Sequence, residues 1–123
     1  MILADTSVWI DHLRTLNPEM QTLLLNKRIL MHPFVIGEIA CGTLRDRTAL
    51  LASLRDLRQS RLATNEEVFE LIERRRLWGR GIGWVDAHLL ASALLTRCPL
   101  WSFDQQLQAA AHLLNIDYRQ ALM

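Results

Sequence analysis

The chain is 123 residues long, half of it hydrophobic and 22% charged, with a formal net charge of +1. That length suits a single domain over residues 1–123, and the apolar fraction can fill a real core, which excludes a disordered tail. No apolar run approaches the roughly 20 residues of a membrane span, and Met1–Asp5 lacks a basic segment leading into a long apolar stretch, so a cytoplasmic protein with no membrane contact is expected.

Ile2–Asp5 reads as a short buried strand ending on a carboxylate. Thr6 and Ser7 offer a helix N-cap, with the helix continuing over Val8–Leu13. Pro18 and Glu19 open a second helix reaching about Asn26, and Arg28–Met31 suits a short strand. Pro33 precedes Phe34–Thr43, an apolar helical run whose one charge is Glu38, with Gly42 as its stop. Leucines at 50, 51, 54 and 57 give Arg45–Gln59 a helical period. Thr64-Asn65-Glu66-Glu67 is a capping box for a helix to about Trp78. Gly79, Gly81 and Gly83 form a loop before the strongly apolar helix Trp84–Arg97. Pro99–Phe103 reads as a buried strand, Asp104–Leu114 as a helix and Asp117–Arg119 as a last short strand. Short apolar strands alternating with helices, without an Asn-Gly hairpin signal, argue for an α/β domain with a mostly parallel sheet. Ligands in such sheets bind beyond the carboxyl ends of the strands, where Asp5 and Asp104 fall.

Residues 45–80 hold nine of the fourteen basic residues and six acids, a net of +3, while the remainder nets −2. Arginine dominates, with Lys27 the single lysine, which suits bidentate phosphate contacts. Solvated helix faces with partners such as Glu70 and Arg74 explain most of these charges equally well. Cys41 and Cys98 lie in apolar surroundings and read as buried, reduced thiols.

Nine of the thirteen acids sit in polar or mixed-charge surroundings. Four do not. Asp5 follows Met-Ile-Leu-Ala, Glu38 lies within Phe-Val-Ile-Gly-Glu-Ile-Ala-Cys, Asp86 shares a helical face with Leu89, Leu90, Ala93 and Leu94, and Asp104 follows Leu-Trp-Ser-Phe. A carboxylate in an apolar setting is costly unless paired, and no Lys or Arg stands in helical register with Asp5, Glu38 or Asp86. A divalent cation resolves the repulsion among such acids, and oxygen ligands suit Mg²⁺ or Mn²⁺. Each acid also has a structural explanation: Asp5 and Asp104 as turn or cap residues, Glu38 as solvent-facing, Asp86 as a partner for a backbone N–H.

Asp5-Thr6-Ser7 after a first strand, Glu38 in an apolar helix, Val85-Asp86-Ala87-His88-Leu89-Leu90-Ala91-Ser92-Ala93 and Ser102-Phe103-Asp104-Gln105-Gln106-Leu107 together resemble the PIN-domain pattern, and more narrowly the VapC toxins of prokaryotic toxin–antitoxin pairs. The resemblance covers nearly the whole chain, in order. It implies a three-layer α/β/α domain with a central parallel sheet, an endoribonuclease using one or two Mg²⁺ or Mn²⁺ ions, a homodimer and a small VapB-like antitoxin. Asp5, Glu38, Asp86 and Asp104 occupy its four acidic positions. Asp5, Asp86 and Asp104 are expected to hold the metal, Glu38 to add a ligand or orient the attacking water, and Ser7 and Ser102 to fix carboxylate rotamers. Leu107 adds no fifth acid. Arg80, beside the glycine loop, is the candidate phosphate contact, with an ordinary exposed arginine as the alternative. Trp9 and Trp84 could stack on bases, although core or dimer-interface positions explain them better.

Competing chemistries find little support. Gly81-Ile82-Gly83 is not a nucleotide fingerprint. The four histidines lack zinc spacing, and no Gly-x-Ser-x-Gly elbow is present. An aspartate phosphatase wants Asp-x-Asp where Asp5-Thr6-Ser7 stands, and a phosphoacceptor domain wants a late lysine. A non-catalytic PIN-like partner-binding protein is the alternative of a different class, disfavoured by the presence of all four acids.

Overall fold

The computed structural model describes residues 1–122. Three strands, β1 (Ile2–Ala4), β2 (Ile29–Leu30) and β3 (Leu100–Trp101), form a sheet of order β2-β1-β3 with both pairings parallel. Ile2 and Leu3 face Ile29 and Leu30, while Leu3 and Ala4 face Leu100 and Trp101. All seven strand residues are buried, as expected of parallel strands covered on both faces. Single-residue parallel bridges, Met31 with Gln59 and Leu100 with Asp117, widen the sheet at its two edges. This is the expected α/β fold with a parallel sheet.

Eight helices surround it among the described residues: α1 (Thr6–Arg14), α2 (Pro18–Leu25), α3 (Pro33–Ala40), α4 (Arg47–Arg55), α5 (Asn65–Arg75), α6 (Trp84–Thr96), α7 (Gln105–Leu113) and α8 (Tyr118–Ala121). Proline at the first position opens α2 and α3, where its missing N–H costs nothing. The Thr64–Glu67 capping box is formed in both directions, at 2.8 and 3.1 Å. The main core joins the sheet to α1, α3, α4, α6 and α7 through residues such as Val8, Ile39, Leu54, Leu90 and Leu107. A smaller cluster of Val68, Ala87 and Ala91 seals α5 against α6. No described helix is long and apolar enough to cross a membrane.

Several sequence expectations are corrected. Neither Thr6 nor Ser7 is the N-cap of α1; Asp5 is, accepting from Val8 N at 3.2 Å. The helix expected over Arg45–Gln59 is confined to Arg47–Arg55, because Gln59 is drawn into its bridge with Met31. The helix expected to reach Trp78 ends at Arg75, where Arg76 turns left-handed with φ +54°. The last expected strand is instead α8, because Asp117 makes one bridge and then starts a helical turn. Cys98 is buried, but Cys41 is exposed, since α3 ends one residue before it.

Candidate active site

Parallel pairing carries the ends of β1 and β3 to the same edge of the sheet. Asp5 N donates to Trp101 O at 2.9 Å, so Asp5 and Ser102 emerge side by side. Asp5 is buried, and its carboxylate is held from three directions. Ser7 Oγ donates to Oδ1 at 2.5 Å, Ser102 Oγ donates to Oδ2 at 2.6 Å, and Val8 N donates to Oδ1. Both hydroxyls also accept from the segment after β3, Ser7 Oγ from Phe103 N and Ser102 Oγ from Asp104 N, both at 2.9 Å. Ser7 and Ser102 therefore hold the Asp5 carboxylate from both of its oxygens.

Each remaining acid is placed by a different element. Asp104 is the N-cap of α7, accepting from Leu107 N at 3.0 Å. Asp86, in the first turn of α6, reaches back to Gly83 N at 3.0 Å. Three acids thus lie at helix N-termini, where the backbone dipole favours negative charge. Glu38 projects from α3 and accepts from Thr6 Oγ1 at 2.5 Å. Thr6 is a site residue that sequence reasoning missed: once Asp5 takes the cap, the Thr6 hydroxyl is free to hold another acid.

The charges interact. Burial raises the Asp86 carboxyl above its ordinary value against the Gly83 N–H, and repulsion from Asp104 and Glu38 raises it further. Burial also raises Asp5, outweighing the hydrogen bonds from Ser102, Ser7 and Val8, with a smaller push from Asp86. No basic side chain compensates these acids: the ion pairs among the described residues are Arg74–Glu70 and Arg119–Glu19. Four carboxylates with oxygen-only donors and uncompensated charge fit a hard divalent cation. Among the described residues no three such groups stand at ligand spacing, so the fit rests on donor type and charge.

Residues 2–113 match the PIN domain family. The chain belongs to that family. It is 48% identical over 111 residues to Ribonuclease VapC32 of Mycobacterium tuberculosis strain CDC 1551 / Oshkosh, an alignment covering 89% of this chain and 90% of that protein. Ribonuclease VapC32 of strain ATCC 25618 / H37Rv is similar to the same extent.

Around the acids of this PIN domain, the glycine loop approaches α7 closely. A Cβ on Gly81, whose φ is +78°, would lie 2.8 Å from Gln106 Cγ. Arg80 turns its Nε to Arg76 O at 2.9 Å, completing the end of α5. It also walls a cavity of about 440 Å³ shared with Gly79, Gln105 and Gln106, next to the Asp104 cap. Trp9 is buried, as a core residue should be, whereas Trp84 is 39% exposed and is not core.

Proposed function

We propose that this PIN domain is a metal-dependent endoribonuclease and the toxin component of a VapBC-like pair, acting as a homodimer that a VapB-like antitoxin restrains. The observation that carries the reading is that Asp86 repels Asp5, Asp104 and Glu38, acids brought from separate elements, with no basic side chain paired to any of the four among the described residues. The likeness to Ribonuclease VapC32 supports RNA as substrate. A non-catalytic partner-binding shell has no use for mutually repelling acids, of which Asp5 is buried and Asp86 half-buried while Glu38 and Asp104 are exposed.

Asp5, Asp86 and Asp104 would hold Mg²⁺ or Mn²⁺, with Glu38 as a further ligand. Such an ion supplies charge neutralisation at the phosphate and lowers the pKa of water. Ser7 and Ser102 keep Asp5 in one rotamer, so its charge needs no reorganisation during turnover. Thr6 restrains Glu38, which would either add a ligand or orient the attacking water. Arg80, on the wall beside the Asp104 cap, is assigned to the RNA phosphate, where its fork suits two oxygens.

The test is incubation of the purified chain with total cellular RNA, with and without Mg²⁺ or Mn²⁺, beside an Asp5→Ala, Asp86→Ala variant. Discrete cuts that require the metal and disappear in the variant are expected. Absence of cleavage with every metal and RNA pool, together with no metal binding by calorimetry, would overturn the reading.

A further inference from the structure

Aromatic rings form a continuous series across α3, which carries Glu38, α6, which carries Asp86, and α5. Phe34, in the first turn of α3, packs on His88 with ring centroids 4.8 Å apart; His88 packs on Trp84 at 4.6 Å, and Trp84 on Phe69 of α5 at 4.8 Å. His88 is buried between its neighbours, but the others are open: Phe34 is 38% exposed, Trp84 39% and Phe69 60%. The tie to the acids is through α3: Phe34 precedes Glu38 by one helical turn and shares its face. Trp84 stands two residues before Asp86 at the start of α6, on a different face of that helix.

Exposed rings need a reason, because burying each would be favourable. Two other exposed rings, Trp78 and Phe103, and the exposed leucines lie apart from one another along the chain, whereas these three rings are linked through His88. A cluster of acids repels phosphate, so a polynucleotide held there needs affinity that does not depend on its charge. Stacking of bases on aromatic faces supplies it without regard to sequence, and unpaired RNA is read largely in this way.

We infer that Phe34, Trp84 and Phe69 form a stacking shelf for unpaired bases of an RNA strand whose backbone crosses the acid cluster. The inference rests on the ribonuclease reading. His88 acts as a spacer: wedged edge-on between Phe34 and Trp84 at interplanar angles of 62° and 82°, it holds the two flanking rings apart.

The shelf is tested by fluorescence anisotropy of the full chain with a short labelled single-stranded RNA of mixed sequence, and with an abasic strand of equal length, in EDTA. The wild-type chain is expected to hold the base-bearing strand about tenfold more tightly. Trp84→Leu, Phe34→Leu and the well-exposed Phe69→Leu should each reduce that preference while leaving abasic binding unchanged. Trp84→Tyr, which retains a ring, and Trp78→Leu, outside the series, should preserve it. A preference that survives all three leucine variants, or is missing from the wild type, overturns the shelf. So does a change of sedimentation coefficient in those variants with base preference intact, which assigns the rings to contact between two copies. Metal-dependent cleavage of the same RNA is scored separately. Cleavage without base preference removes only the shelf, and base preference without cleavage under any metal removes the nuclease reading while the shelf stands.

Discussion

Ser102 Oγ donates to Asp5 Oδ2 at 2.6 Å, across 97 residues of sequence, and accepts from Asp104 N at 2.9 Å, so one hydroxyl joins the first and last acids of the site. Removing it leaves a buried carboxylate oxygen and an N–H unpaired at once. Ser102→Ala should lower stability by about 1–3 kcal/mol and weaken Mg²⁺ or Mn²⁺ binding about 10–100-fold. Ser102→Thr, which keeps the hydroxyl, should recover most of both. Urea melts and calorimetric titrations check this; an alanine variant with wild-type metal affinity would show that Asp5 holds its orientation unaided.

Asp86 carries a cost in the metal-free protein. Its carboxyl is raised by burial and by repulsion from Asp104 and Glu38, so ionising it at neutral pH opposes folding. Asp86→Asn keeps an oxygen for Gly83 N and removes the charge. It should therefore melt higher than the wild type in EDTA, yet lose the rise in melting temperature that Mg²⁺ or Mn²⁺ gives the wild type. Cleavage should fall to background. Differential scanning calorimetry with and without metal decides the matter, and a variant less stable in EDTA would contradict the proposed repulsion.

Gly81 and Gly79 separate two effects that glycine usually confounds. Both have positive φ, +78° and +71°, but a Cβ on Gly79 meets open space while one on Gly81 meets Gln106. Alanine at either position should cost about 1 kcal/mol of stability. Only Gly81→Ala should also weaken metal binding, because it pushes the loop leading to Asp86 away from the first turn of the helix that Asp104 caps. Gly81→Ala combined with Gln106→Ala should regain the metal affinity but not the stability. Equal metal affinities in the two single variants would count against a positioning role for this contact.

The acids stand out in the sequence because a charge among apolar neighbours is unusual, as Glu38 is in α3 and Asp5 after β1, but those neighbours do not tell burial: the fold buries Asp5 and leaves Glu38 exposed. The parallel sheet was legible for a related reason, since fully buried strands read as unbroken apolar runs at Ile2–Ala4 and Leu100–Trp101. What escaped depends on contacts between distant segments. Because Asp5 caps α1, the Thr6 hydroxyl bonds Glu38 instead, a contact made across 32 residues. Asp117 forms a bridge with Leu100 that is too short to be a strand. The exposure of Trp84 and Cys41 likewise follows from where α6 begins and α3 ends, and a tryptophan or cysteine in an apolar stretch carries no sign of that.

His32 gives the fold an acid-sensitive point. It caps α3 through Nδ1, which accepts from Phe34 N at 3.0 Å, and only 2% of it is exposed. Burial, with a smaller contribution from His88, lowers its pKa from 6.5 to about 4. Because the folded-state value is depressed, the unfolded chain binds the proton first as pH falls from 6.5 toward 4, and stability declines across that window by up to about 3 kcal/mol. His88, lowered by burial, acts in the same direction, as does Glu19, lowered by Arg119. Asp5 and Asp86, both raised, act oppositely. Protonated Nδ1 can no longer accept, so the cap is lost together with the neutral ring. His32→Asn supplies a cap oxygen that does not titrate. Urea unfolding of the metal-free chain at a series of pH values should give a curve for this variant that is flatter between pH 6.5 and 4 than that of the wild type. Parallel curves would transfer the acid sensitivity to His88 or Glu19.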